Sequence, residues 1–425
     1  MMLEKILSVI LLAAFTLASS IISSGDIGRR SDPSPGPFTT SGRWILDANG
    51  RRFKFRCVHW VGHMETNIPE GLQHQNVDYV SAWIAKSGFN CIRLSYSIDL
   101  ALNPTLLVKN SFTAAALSTK NAAVASLYND VKANNDWITD TTTVIEVFEK
   151  VIASLGAQNV KVILDNHVSK ASWCCSQSDG NGWFKTPGNE LSLDSVYFEI
   201  GEWLKGLTAM ATFASGKVNV IGMDLRNEMR PIDYDTDNWY RYVPQGASAI
   251  YKANPSLLII IGGLNYAIDL SFVYHSPLDL SQWPNRVVWE FHNYASSFSH
   301  IDFSHGASRV SLGGCQGLKS AIADSSGYLL AQEKAYTAPL WLSEFGFDVG
   351  GKTPSDRRWI ACVVAYMTLN DAEWSWWTLG GSYYINNGKV NAPESYGVLD
   401  PKWSDWQNAG FQKTLGAMWA MTQGP

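Results

Sequence analysis

From about residue 52 the chain repeats one pattern eight times: a short apolar run, then a longer amphipathic stretch. The runs are RFKFRCVHW (52–60), FNCIRLSYS (89–97), VKVILDNHV (160–168), VNVIGMDLRNE (218–228), LLIIIGGLN (257–265), RVVWEFHNY (286–294), APLWLSEFG (338–346) and AEWSWWTL (372–379). Such runs read as strands buried on both faces, and the stretches at 77–88, 143–156, 195–213, 238–253, 318–332 and 356–370 read as the crossover helices that parallel strands require. A last stretch, 406–421, is placed to close the ring as a further helix. Eight such units predict an α/β fold, a single-domain (β/α)8 TIM barrel, with an open doubly wound sheet as the alternative.

Composition narrows the function. A net charge of −5 argues against a nucleic-acid partner, which calls for a basic surface. No Gly-rich phosphate fingerprint follows any strand. The 18 Trp, 17 Tyr and 17 Phe supply flat rings suited to stacking on sugars as well as to core packing. Residues 1–24 read as a signal peptide: Lys5, an apolar run from Ile6 to Ala18, then small residues, with cleavage at about 20–25. The run is shorter than a membrane span needs, so the mature chain is expected to be secreted, extracellular or in the cell wall, with no membrane partner. Residues 25–39 read as a flexible Pro/Ser/Gly-rich linker, and 40–425 as the catalytic domain. In an oxidising compartment the six cysteines make disulfides plausible. Cys174, Cys175 and Cys315 lie in loop-like segments and are the better bridge candidates, whereas Cys57 and Cys91 sit inside strand-like runs and read as buried free thiols.

Several runs turn polar at their C-terminal ends: Arg93; Asp165, Asn166 and His167; Asn227 and Glu228; His292 and Tyr294; Glu344; and Trp377. Buried charge without a partner is costly, so such ends imply a shared network or a cleft, and the C-terminal rim of a barrel is where active sites sit. An N-cap role is the alternative for Asp165 or Asn166. Glu228 and Glu344 end strands three apart and suit glycoside hydrolysis, which needs one protonated and one ionised carboxyl facing each other.

The ordered motifs RCVHWVGHMET, IRLSYS, ILDNH, MDLRNEM, HNY, WLSEFG and WSWWTL resemble glycoside hydrolase family 5, the cellulase family, in its plant-type form, over about residues 40–420. The resemblance implies a retaining enzyme with Glu228 as acid/base and Glu344 as nucleophile. Asn227 would bond the sugar 2-hydroxyl, Arg93 and Tyr294 would hold and ionise Glu344, and His292 would lie beside the acid/base. His167 would bind substrate hydroxyls or, alternatively, support Arg93 from the rim. Trp377 would form the sugar-stacking floor, and His59 and Trp60 would line the cleft. His59 and His63 form a candidate metal pair, but no third ligand is near in sequence and the family needs none; no metal or cofactor is expected. Met229 stands where many relatives have proline, so the loop after Glu228 is expected to differ. The long region 97–142 and the loop SWCCSQSDGNGWF, with Trp173, Trp183 and Phe184, are expected near the mouth. The expected partner is a β-linked oligo- or polysaccharide, either β-1,4-glucan, mixed-linkage glucan, mannan or a smaller glycoside, cut by a monomer in endo fashion. A glycan-binding protein without turnover and a transglycosylase on the same barrel are the alternatives.

Overall fold

The computed structural model describes residues 34–301, 303, 310–351 and 353–425, and Ser34–Pro425 forms one compact unit. The expected signal peptide and most of the expected linker lie outside the described residues.

Eight parallel strands close into a barrel: β1 (Arg56–Trp60), β2 (Cys91–Ser97), β3 (Lys161–Val168), β4 (Val220–Asp224), β5 (Leu258–Gly262), β6 (Val287–His292), β7 (Leu340–Phe345) and β8 (Glu373–Trp376), with β8 pairing β1. All eight coincide with the apolar runs, because strands buried by a helical layer outside and by side chains inside have no solvated face. The longer helices are α1 (Val77–Lys86), α2 (Val144–Ala157), α3 (Ile200–Phe213), α4 (Thr236–Ala253), α5 (Val310–Ser325) and α6 (Pro354–Asn370). Their starts are set locally. Asn76 accepts from the Tyr79 N–H, Thr143 and Glu146 form a reciprocal capping box, and Asp235 accepts from the Asn238 N–H. On α1, Val77, Val80 and Ile84 recur at helical spacing and are buried.

The region 97–142 folds into three extra helices, Ile98–Leu102, Val108–Ser118 and Ala123–Asn134. It meets the hairpin that follows β8 (Ser382–Asn386 and Lys389–Pro393): Phe112 packs edge-on to Tyr384 at 5.0 Å and Asn121 donates to the Gly388 carbonyl. The 406–421 stretch forms only the turns Phe411–Thr414 and Gly416–Trp419 rather than one helix. Its aromatic residues are held one at a time, with Phe411 on Trp376 at 4.6 Å and Trp419 on Trp374 at 5.0 Å. The fold also starts before residue 40. Phe38 is buried with Ile45, Phe53 and Phe55 against the inward residues Cys57, Cys91, Ile163, Ile260 and Trp341, so the end of the expected linker belongs to the barrel.

Cys57 and Cys91, expected as free thiols, are bonded to each other. Their strands are adjacent and their Cα atoms are direct register partners 4.5 Å apart, which is within disulfide reach. Cys315 and Cys362 join α5 to α6, and the neighbours Cys174 and Cys175 are bonded to one another. No described cysteine is free.

Candidate active site

Strand alternation sends every second side chain into the barrel. His59 on β1 is the register partner of Arg93 on β2, and Asp165 on β3 is the partner of Asp224 on β4. Glu344 reaches the same end because the β6–β7 register slips: Phe291 pairs with Leu342, but His292 pairs with Glu344. A bulge of this kind re-aims one side chain without disturbing the rest of the strand.

Arg93 is fully buried at the centre. It donates to Glu344 Oε2 at 3.0 Å, Asp165 Oδ1 at 3.1 Å, Asp224 Oδ2 at 2.5 Å and Asn227 Oδ1 at 3.0 Å, and Glu290 Oε2 stands 3.7 Å away. Burial alone would disfavour this cation, yet the surrounding carboxylates hold its pKa well above the ordinary value. Tyr294 donates its hydroxyl to Glu344 Oε1 at 2.8 Å, so both oxygens of Glu344 receive a donor. Glu228 has one side-chain partner, His292 Nδ1 at 3.0 Å, and the same nitrogen lies 3.9 Å from Glu344 Oε1. A carboxylate oxygen of Glu228 and one of Glu344 fall within 4.8 Å of each other. Desolvation pushes both glutamates up to about 7 and His292 down to about 4, leaving the imidazole neutral at pH 7.

Glu228 has a backbone φ of 39°, a left-handed conformation uncommon for a residue with a side chain. Its carbonyl accepts from Arg230 Nη1 at 2.7 Å, and Arg230 is itself clamped by Asp179 at 2.7 and 2.6 Å. The loop after β4 is thereby tied to the loop after β3, which is the kind of over-determination that keeps a strained residue in place.

Residues 46–382 match the model of Cellulase (glycosyl hydrolase family 5). The chain belongs to glycosyl hydrolase family 5. Among similar proteins, a glycosyl hydrolase 5 family protein from Chamaecyparis obtusa is 36% identical over 395 residues, 92% of this chain and 67% of the relative. An endoglucanase from Paenibacillus polymyxa is 25% identical over 401 residues, 90% of this chain and 86% of the relative. The fold is shared with the catalytic domain of the major endoglucanase from Xanthomonas campestris pv. campestris, with a TM-score of 0.67 at 19% identity, covering 90% of this chain and 99% of that one. At the level of the family the protein is a glycoside hydrolase.

Most of the expected site residues converge in this family 5 barrel. Trp377 packs edge-on to His59 at 4.5 Å and lies parallel to His167 at 5.7 Å. His167 binds Asp165 Oδ2 through Nδ1 at 2.6 Å and meets Asn227 Nδ2 through Nε2 at 3.2 Å, so it braces the Arg93 network from the side. His59 sits beneath Trp377, fully buried, with Nδ1 3.4 Å from Arg93. Trp60 does not reach the cleft. Alternation turns it outward, where its indole N–H donates to the Glu70 carbonyl and its ring packs near Trp403. Trp173 stands half exposed beside Trp377 and Tyr383, but Trp183 and Phe184 are buried among Phe198, Trp203 and each other and serve the core instead.

Folding supplies the third histidine that sequence spacing did not: ring nitrogens of His59, His63 and His167 lie within 4.8 Å of one another. His63 and His167 are stacked at 3.8 Å with planes 22° apart, so their in-plane lone pairs run side by side rather than converging as tetrahedral ligands do. Asp224, Glu290 and Arg230 belong to the site and were not singled out from sequence. A period-of-two reading of "VIGMD" and "VVWEFH" places Asp224 and Glu290 on the same inward faces as their neighbours, whereas Arg230 carried no such signal.

Proposed function

We propose that this protein is a secreted retaining β-glycosidase that cuts internal bonds of a β-linked glucan or mannan by double displacement. The observation that carries the reading is the approach of Glu228 and Glu344 to within 4.8 Å, oxygen to oxygen. That spacing fits the roughly 5 Å of retaining enzymes and falls short of the roughly 6.5–9.5 Å of an inverting pair. Glu344, with donors on both oxygens, attacks the anomeric carbon as the carboxylate. Glu228 gives its proton to the departing glycosidic oxygen, then removes a proton from the water that releases the sugar from Glu344. Asn227 takes the 2-hydroxyl and Trp377 supports the ring. Endo action on glucan is supported by relatives named as endoglucanases. Export is supported by the leader-like N-terminus, the disulfides and a relative named as a major extracellular endoglucanase. No helix among the described residues is long and apolar enough to cross a membrane.

The test is reducing-sugar release from soluble β-glucans, glucomannan, galactomannan and xylan, with the anomer of the first product read by proton NMR. One polymer should be cleaved to a β-configured product, and Glu344→Gln should lower the rate by at least about 10⁴-fold. An α-configured product would exclude double displacement. A folded protein that cleaves none of the polymers would point to glycan binding without turnover.

A further inference from the structure

The adjacent cysteines in the loop after β3 have a neighbour that the mechanism uses. Asn227 Nδ2 lies 3.4 Å from Cys175 Sγ and 3.7 Å from Cys174 Sγ. The orientation of this amide is set by its other end, because Oδ1 accepts from Arg93 at 3.0 Å and the NH₂ group must then face away. Of its two N–H bonds, one is directed to His167 Nε2 at 3.2 Å. That nitrogen acts as an acceptor because the Nδ1–H of His167 is committed to the Asp165 carboxylate at 2.6 Å. The second N–H is left toward the two sulfurs, which accept only weakly.

The sulfurs are themselves fixed. Cys174 is buried, and the chain just beyond the pair is held by Arg230, whose Nε donates to the Ser176 carbonyl at 3.0 Å. Asp179 accepts from the Ser176 N–H at 2.8 Å, and Trp173 on the other side rests on Trp377 and Tyr383. We propose that the Cys174–Cys175 disulfide is a positioning element for substrate: it fills the place beside the second N–H of Asn227 without satisfying it, so that the amide, aimed by Arg93 and His167, stays available for a sugar hydroxyl. A bonded pair of sulfurs has no proton to donate and no strong lone pair to offer, and it cannot swing away as two separate side chains can. A better acceptor in the same place would hold Asn227 for itself, and an empty place would admit water, which accepts more strongly than a disulfide sulfur. The inference rests on the proposed role of Asn227 at the sugar 2-hydroxyl.

The experiment compares kcat/KM for 4-nitrophenyl β-cellobioside with that for the analogue lacking the 2-hydroxyl on the ring joined to nitrophenol. The ratio is taken for the wild type, Asn227→Ala, the double variant Cys174→Ser with Cys175→Ser, and the double variant Cys174→Ala with Cys175→Ala. Because both substrates see the same preparation, the fraction of folded enzyme cancels in each ratio, and a general loss of packing lowers both rates together. Both cysteine variants should lower the ratio, by about fivefold, the loss expected when one hydrogen bond to the sugar must compete with another acceptor. The serine variant should fall further than the alanine variant, since its hydroxyls compete for the amide. Ratios within twofold of wild type in both cysteine variants, together with a collapsed ratio in Asn227→Ala, would overturn the role of the disulfide and leave that of Asn227 standing. An unchanged ratio in Asn227→Ala would overturn the reading of Asn227 itself. A wild type that hydrolyses neither glycoside overturns the glucan reading of the proposed function and, with it, this inference.

Discussion

Desolvation is the main cause that pushes both Glu228 and Glu344 up to about 7, so burial does not decide which keeps the proton. The donors decide it. Arg93 and the Tyr294 hydroxyl bond the two oxygens of Glu344 directly, while the charges of Arg230 and Arg93 reach Glu228 only from farther off and its side-chain hydrogen bond is to an imidazole whose own pKa is lowered to about 4. The singly protonated pair therefore carries its proton on Glu228. In the proposed mechanism, acidification protonates Glu344 and removes the nucleophile, and raising the pH past neutrality strips Glu228 and removes the acid. The expected outcome is a bell-shaped pH profile of kcat/KM with its maximum near neutrality, and Glu228→Gln should lose the alkaline limb on aryl glycosides whose leaving groups need no proton. Tyr294→Phe deletes a donor to the charged form, so the pKa of Glu344 rises and the acid limb should move to higher pH, by about half a unit to one unit. An acid limb that stays put would mean that the hydroxyl does not stabilise the carboxylate. The strand-end glutamates, Arg93 and Tyr294 were legible in the sequence because each sits where an apolar run ends. That Arg93 and Tyr294 both donate to Glu344 was legible only through family resemblance, since the three come from strands far apart in the chain.

At the level of elements, two cross-links decide how the barrel closes. Cys57 and Cys91 join β1 to β2 across a sequence separation of 34 residues, and replacing both with alanine should cost about 3–4 kcal/mol in denaturant unfolding. A cost below about 1 kcal/mol would show that the closed barrel already imposes the constraint. Asp371 ends α6 in the left-handed conformation, with φ of 46°. It receives Arg52 at 2.5 Å, Lys54 at 2.6 Å and the backbone N–H groups of Thr422 and Gln423, tying the segment before β1 to the end of the chain. These donors depress its pKa to about 2. The folded-state value lies below the ordinary carboxylate value, so this stabilisation is present above about pH 4 and disappears as the pH falls through 2. Asn tolerates the same backbone, so Asp371→Asn removes the charge and sets an NH₂ group where one oxygen accepted from these donors, and should destabilise by about 3 kcal/mol at neutral pH, with the difference from wild type narrowing in acid. Neither cross-link was legible beforehand: a strand cysteine reads as a small apolar residue until its register partner is known. The β7 bulge that aims Glu344 was hidden for a similar reason, because a one-residue slip leaves no mark in an apolar run.

At the scale of the molecule, a single chain supplies Glu228, Glu344, Arg93, His292 and Tyr294 to one site, so the prediction is that activity does not require a second copy. Light scattering should give the mass of a single chain, and specific activity should hold on dilution; a fall in activity that tracks dissociation would contradict this. The sequence by itself determined the architecture, since eight apolar runs separated by amphipathic ones have few ways to bury both faces of every strand. It also determined at which end of the barrel the polar network gathers, because polar residues at strand C-termini must share partners. Tertiary structure alone decided which neighbours those residues have. It turned Trp60 outward and Trp183 and Phe184 into the core, brought Asp224 and Glu290 under Arg93, paired Cys57 with Cys91, and set two sulfurs beside Asn227. The physical reason is that burial and periodicity are written locally along the chain, whereas contacts depend on register and closure, which exist only once all eight strands are in place.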